Sequence, residues 1–306
     1  MSDLANPTVA VVVPCLNEAA AIAGVVADFR AALPQARIVV VDNASTDGTA
    51  DIARAAGADV IRETRKGKGF ALLAGLRHAA PADIFIMVDG DGTYAAEDAP
   101  KLIARILDGA DMAIGTRLRS AGEGAFPVGH SWGNRLFIAI VALLFEIRTQ
   151  DLFSGYRALT RRFLLQSPLI AQGFEIEAEL SIQAFTSRFR VDEVPTIYRA
   201  RGAESHSKLS TFRDGYRILI AILAFFRDYR PLTFFGLAAT VLFFASLTAG
   251  AVVVDQYIQT GLVLRIPLAI GAVGLFILSA LSMTAGVLLS SINRRAEEIR
   301  SLLVTK

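Results

Sequence analysis

From residue 8 to residue 117, short unbroken apolar runs alternate with segments whose apolar positions recur every three or four residues. "TVAVVVP" (8–14), "ARIVVVD" (36–42), "DVIRE" (59–63), "DIFIMVD" (83–89) and "DMAIGTR" (111–117) read as strands. Between them, "EAAAIAGVVADFRAAL" (18–33), "TADIARAAGA" (49–58), "GKGFALLAGLRHA" (67–79) and "AEDAPKLIARILD" (96–108) read as helices, the first with Asn17 as its expected N-cap. Strands that are apolar throughout are buried on both faces. Their alternation with helices predicts an α/β domain: a mostly parallel sheet with helices on both faces.

A different pattern takes over after Arg230. Residues 231–254 ("PLTFFGLAATVLFFASLTAGAVVV") and 266–291 ("IPLAIGAVGLFILSALSMTAGVLLSS") carry no charge. A helix needs about 20 apolar residues to cross a bilayer core, so two transmembrane helices are expected. Arg227 and Arg230 precede the first span, Arg294, Arg295 and Arg300 follow the second, and the short loop between holds Asp255 and Arg265. The excess of arginine on the outer flanks places both termini, and the domain before Arg230, on the cytoplasmic side of the cell's inner membrane. Two further stretches, "WGNRLFIAIVALLFEIR" (132–148) and "FRDGYRILIAILAFFRDYR" (212–230), are apolar with basic ends. They read as helices lying in the membrane interface or as ordinary core helices. The expected organisation is a domain over 1–211, an amphipathic juxtamembrane helix over 212–230, and two spans with a tail over 231–306.

Composition sharpens this picture in three places. Hydrophobic residues make up 53% of the 306-residue chain and mean hydropathy is +0.47, an excess that sits mainly beyond Arg230. The net charge of +2 supplies no field to draw nucleic acid. The single cysteine, Cys15, excludes an internal disulfide and fits a reducing compartment. The start, "MSDLANPTVAVVVPCLNE", lacks the basic segment of a secretory signal, and none is expected.

Polar residues collect where the predicted strands end: Asn17 and Glu18, Asp42 and Asp47, Asp89 and Asp91, Arg117. In open α/β sheets that edge is where ligands bind. Asn17, Ser45 and Thr46 are equally readable as capping groups. "IFIMVDGDGTY" (84–94) is less ordinary, because it sets two carboxylates one glycine apart at the end of a buried strand. Such acids repel one another, and a hard divalent cation accepting oxygens from both relieves the repulsion. Mg2+ or Mn2+ held there would bridge the phosphates of a nucleotide. The three histidines, His78, His130 and His206, form no recognisable triad with Ser or Cys and an acid.

Taken together and in this order, "VVVPCLNE", "VVDNASTDGT", "KGKG", "MVDGDGTY", "IGTR" and "DLFSGYRAL" resemble the GT-A glycosyltransferases of family 2, in particular the dolichol-phosphate mannose synthase branch and its polyprenyl-phosphate relatives. The resemblance covers roughly residues 8–230. It implies a Rossmann-like GT-A domain in which Pro14, Asn17, Glu18, Asp42, Lys68 and Asp89 line the nucleotide-sugar pocket. Asp89 and Asp91 would hold the metal, and Arg117 would contact phosphate. Asn43 stands where the family usually has a second acid, and Thr93 where some relatives have a glutamine ligand. Asp151, Ser154, Gly155 and Tyr156 match an acceptor-side segment. "RARGAESHSKLS" (199–210) resembles an Arg-x-x-Gly-x-Ser-Lys stretch, which makes Arg201, Ser207 and Lys208 expected phosphate contacts; a solvated basic loop is the plainer reading.

The activity implied is inverting transfer of a hexose from a UDP- or GDP-linked donor to a dolichyl or undecaprenyl phosphate at the cytoplasmic membrane face, with Mg2+ or Mn2+. A lipid phosphate is already anionic, so no strong catalytic base is required. A processive polysaccharide synthase would carry Gln-x-x-Arg-Trp, whereas Trp132 follows "GHS". A non-catalytic scaffold would be marked by loss of the acid pair, which is intact, and a soluble nucleotidyltransferase would open with a glycine-rich phosphate loop that "PCLNEAAAIAG" lacks. The sugar, the nucleotide and any homo-oligomer stay open.

Overall fold

The computed structural model describes residues 7–120, 128–147, 149–199 and 211–304. The chain forms two compact units, 1–222 and 223–306.

In the first unit the expected alternation appears as β1 (Val9–Cys15), α1 (Ile22–Ala32), β2 (Arg37–Asp42), α2 (Thr49–Ala55), β3 (Asp59–Arg62), α3 (Lys68–Ala79), β4 (Ile84–Met87), α4 (Ala99–Leu107) and β5 (Met112–Ser120). A single 3-10 turn, Ala96–Asp98, leads into α4 because Pro100 sits at the start of that helix. After it come α5 (Val128–Phe145), β6 (Arg157–Thr160), α6 (Arg161–Gln166), α7 (Ile176–Thr186) and β7 (Val191–Tyr198). The strands form one seven-stranded sheet in the order β3-β2-β1-β4-β6-β5-β7. All run parallel except β6, which is antiparallel to both its neighbours.

Burial explains why these strands read so clearly. Val11, Val12 and Val13 of β1 and Val39, Val40 and Val41 of β2 are completely buried, so both faces of each strand are covered. Helix α1 turns Ile22, Val25, Val26 and Phe29 inward at helical spacing. Helix α3 lies close on the sheet because Gly75 faces it: a Cβ there would come within 2.4 Å of Val12. The core joins β1, β4, α1 and α4 to Tyr94 and Tyr156. The chain leaves β1 toward β2 on one side and β4 pairs on the other. The carboxyl ends of β1 and β4 therefore open at a topological switch point.

One expectation is corrected here. Asn17 does not cap α1, which begins at Ile22 after Ala21. Asn17 adopts φ 52° instead, a left-handed turn that asparagine tolerates. Its side chain accepts from Thr46 N at 2.8 Å, so it joins two loops rather than starting a helix.

Helix α8 (Thr211–Tyr229) contains the boundary between the units, and the second holds α9 (Pro231–Thr260) and α10 (Ile266–Val304). Pro231 starts α9, and Gly261 ends it in the left-handed conformation. At 1.5 Å per residue α9 is about 45 Å long, more than a bilayer core of about 30 Å. Both helices are long and apolar enough to cross a membrane, and only 11% of each apolar window is buried. Phe244, Ile270 and Leu281 stand exposed, as lipid-facing side chains do. The pair is bound by hydroxyls that donate across it to main-chain carbonyls: Ser246 to Ala272, Ser279 to Ala239 and Ser282 to Phe235, at 2.7–2.9 Å. Gly286 lets the helices approach closely, since a Cβ there would lie 3.0 Å from the Cβ of Phe235.

Candidate active site

Loops at the carboxyl ends of β1 and β2 are stitched to one another by short polar side chains. Asn17 N donates to Ser45 Oγ, Glu18 N to Thr49 Oγ1 and Ala19 N to Asp47 Oδ2, at 2.9–3.0 Å. Asp42 is buried at the end of β2, where its Oδ1 accepts from Ser45 N. Asn43 is also buried and fully engaged: its amide donates to the carbonyls of Glu63 (3.0 Å) and Arg65 (2.7 Å), and its Oδ1 accepts from Gly67 N (2.8 Å). Asn43 thus holds the 63–67 loop in place. Pro14 lies in β1, paired with Val41 of β2.

The acid pair sits just beyond β4. Gly90 separates the two carboxylates for a steric reason, since a Cβ there would meet Cys15 Sγ at 2.4 Å. Asp91 is buried, and its Oδ1 accepts from the main-chain N (3.1 Å) and hydroxyl (2.6 Å) of Thr93. Thr93 therefore orients Asp91 by donating to it. Gly92, at φ 73°, provides the left-handed turn between them.

Asp89 is pinned from two directions. Its carboxylate lies flat against Gly155, where a Cβ would come within 2.5 Å of Oδ2. Its Oδ1 is ion-paired with Lys68, whose Nζ also lies 2.5 Å from Glu177 Oε1. Lys68 is placed by glycines on either side. Gly67 and Gly69 press on the carbonyls of Gln172 and Ala171, and Gly69 N donates to Gln172 O at 3.0 Å. The 170–172 segment is in turn held by Glu179, whose carboxylate accepts from Ile170 N and Ala171 N. Burial opposes the charge on Lys68, but the carboxylates of Asp89 and Glu177 outweigh it and hold the ammonium above the ordinary lysine range. Burial pushes the Glu177 carboxyl upward against the pull of Lys68.

The segment 151–157 closes the other side. Gly155 N donates to Tyr94 Oη at 2.9 Å, Tyr156 Oη to Ala95 O at 3.2 Å, and Ser154 Oγ to Gly115 O at 2.5 Å. Arg157, completely buried, donates to the carbonyls of Leu152 (2.7 Å) and Ser154 (2.9 Å) and to Ser181 Oγ (2.8 Å). Burial pushes its guanidinium down to about 10, the nearby Glu177 carboxylate acting against this. Arg117 makes a two-pronged pair with Asp151, at 2.7 and 2.6 Å, and lies over the Tyr198 ring. Phe153 packs edge-on against Phe137 of α5. The same helix buries Val141 and Phe145 while exposing Leu136 and Leu143.

Lys68, Asp89 and Gly155 thus converge on one point, and Arg117 meets Asp151. Arg201, Ser207 and Lys208 lie outside the described residues. Glu177, Arg157 and Tyr94 were given no role by the sequence, although Tyr94 and Arg157 fall inside the motifs "MVDGDGTY" and "DLFSGYRAL"; Glu177 and Tyr94 act through Lys68 and Gly155, more than 60 positions away. Two carboxylates with few other protein ligands suit a hard cation that keeps water and phosphate oxygens in its shell. Among the described residues no cluster of three or more His, Cys, Asp or Glu forms a closed metal cage.

The family model for glycosyl transferase family 2 matches residues 10–166. Glycosyltransferase AglJ of Haloferax volcanii is 35% identical over 228 residues, which are 74% of this chain and 75% of the relative. A dolichyl-phosphate hexose transferase of the same organism is 34% identical over 219 residues, 71% of this chain and 93% of the relative. Among solved structures, glucosyl-3-phosphoglycerate synthase from Mycobacterium tuberculosis, in complex with Mn2+ and UDP-glucose, matches with a TM-score of 0.58 at 26% identity, over 72% of this chain and 79% of that one. The fold is that of the GT-A enzymes, and the chain belongs to glycosyl transferase family 2.

Proposed function

We propose that this glycosyltransferase moves a hexose, with inversion, from a nucleotide-diphosphate sugar to a polyprenyl phosphate at the cytoplasmic face of a membrane. The observation that carries the reading is the acid pair Asp89 and Asp91 at the switch point, braced by Thr93, Gly155 and Lys68. Its hard oxygens fit Mg2+ or Mn2+, and a GT-A neighbour holds Mn2+ with UDP-glucose. A bound cation would neutralise charge on the departing nucleoside diphosphate.

Pro14, Asn17, Glu18, Asp42 and Lys68 border the donor side. Asn43 is committed to the 63–67 loop, so it holds the wall of that pocket rather than reading the base. Asp89 and Asp91 orient the diphosphate end of the donor. Arg117, with Arg201 and Lys208 assigned from the family resemblance, offsets the repulsion between the two phosphate-bearing substrates. An oxygen of the lipid phosphate forms a bond to the anomeric carbon as the bond to the diphosphate oxygen breaks. The nucleoside diphosphate leaves with the electron pair, and no proton need be removed from the nucleophile. The residues supply position and charge.

A lipid acceptor is favoured by the two apolar helices α9 and α10. It is favoured also by α5, whose exposed Leu136 and Leu143 belong to the helix that touches the 151–157 segment, and by the name of one relative. A screen of UDP- and GDP-sugars against a short polyprenyl phosphate, with Mn2+ and purified full-length protein, tests this. A polyprenyl-phosphate hexose of β configuration from an α-linked donor is the expected product. Transfer only to a soluble acceptor, or retention of configuration, refutes the reading.

A further inference from the structure

We propose that Lys68 is a built-in counter-cation of the acid pair and that Glu177 is its positioning residue: the ammonium holds Asp89 when no divalent cation is present, and yields it by shifting wholly onto Glu177. The inference rests on the reading that Asp89 and Asp91 hold the divalent cation.

Three features of the site carry it. First, the ammonium is shared. Nζ of Lys68 is paired with Asp89 Oδ1 and Glu177 Oε1 at once, with both lysine and glutamate side chains largely buried. Second, Glu177 has one oxygen to spare. Its Oε2 is buried with no hydrogen-bond partner. A buried acceptor left unpaired is costly, and such an atom is accounted for when another state of the site uses it. An ammonium has three donors, so on leaving Asp89 it can bond both oxygens of Glu177. Third, the loop cannot carry the lysine away. Gly67 and Gly69 lie too close to the backbone at 171–172 for even a methyl group, and Gly69 N is bonded there. The exchange is therefore a side-chain rotation under the Phe174 ring, which lies 5.9 Å from Nζ and favours a cation beneath it.

The arrangement predicts competition between two cations for Asp89. Lys68 keeps the acids from standing as a bare dianion, and Glu177 lowers the barrier to surrendering Asp89 by offering a second seat. Loss of the lysine should tighten divalent binding. Loss of the glutamate charge should weaken it, because the ammonium then has only Asp89. Glu177 acts through Lys68, so its effect should vanish when Lys68 is gone.

The test is a titration of MnCl2 into detergent-purified full-length protein, with free Mn2+ read by electron paramagnetic resonance, and repeated with UDP or GDP. Relative to wild type, K68M should bind Mn2+ about tenfold more tightly and E177Q about tenfold more weakly. In the K68M background E177Q should change binding less than twofold. Circular dichroism checks folding, and if K68M does not fold, the isosteric E177Q decides alone. Wild-type binding with an E177Q shift below threefold, or shifts of the same sign in both variants, overturns the proposal. Absence of Mn2+ binding by wild type even with nucleotide instead removes the metal reading on which it rests.

Discussion

Replacing Gly155 by alanine isolates the contact that places Asp89. A Cβ at this position would lie 2.5 Å from Asp89 Oδ2, 2.9 Å from Cγ and 3.0 Å from Oδ1, when ordinary contact begins at 3.4 Å. The loop cannot retreat easily: Gly155 N is bonded to Tyr94, Ser154 Oγ to Gly115 and Ser154 O to Arg157. The carboxylate must yield by about 1 Å, and a misplacement of that size costs on the order of 100-fold in rate. That equals roughly 2.7 kcal/mol of transition-state stabilisation. Overpacking also destabilises the fold, by about 1–3 kcal/mol, so unfolding is followed in parallel. The assay is steady-state transfer to polyprenyl phosphate at saturating donor, well below the unfolding midpoint. Gly24→Ala in α1, where a Cβ would meet nothing within 4 Å, is the control and should transfer at the wild-type rate. A kcat for Gly155→Ala within threefold of wild type would refute the claim that this contact sets the geometry of the site.

Three further outcomes are expected. Asn43→Asp supplies the acid that the family resemblance leads one to expect but sets a carboxylate against the carbonyls of Glu63 and Arg65; hydrogen exchange at 63–69 should accelerate, with a loss of about 2–4 kcal/mol in stability, whereas unchanged protection would contradict the bonding described. Arg157→Met leaves the carbonyls of Leu152 and Ser154 without their donor, and should lower the thermal midpoint by an amount corresponding to about 2–6 kcal/mol, the cost of two unpaired buried acceptors; an unshifted midpoint would show that other groups hold the segment. Tags on the two termini should both be accessible from the cytoplasmic side only, and protection of both there would reverse the proposed topology.

How much of this was legible in the sequence follows from the range over which each feature is determined. Strands β1, β2 and β4 were readable because burial on both faces writes itself as an unbroken run such as Val11–Val13. The two apolar helices were readable because a helix that crosses a bilayer core carries a long run without charge. Strand β7 was not, because Asp192, Glu193 and Pro195 interrupt the apolar pattern of a strand at the sheet edge. Asp89 and Asp91 stood out since one motif holds both. Glu177 did not, because its meaning comes from Lys68, more than 100 positions earlier, and its own neighbourhood reads as an ordinary helix. Asn17 misled as a helix cap because asparagine serves caps and left-handed turns alike, and only its bond to Thr46 decides between them.

Whether the carboxylates beyond β4 do the chemistry is tested most directly by Asp91→Asn. The amide keeps the size of the side chain and an oxygen for Thr93, so the fold should persist. Measured at saturating donor, acceptor and Mn2+, transfer by this variant should drop at least about 1000-fold, in keeping with the loss of a preorganised charge. Turnover within tenfold of wild type, from protein shown to be folded, would contradict it.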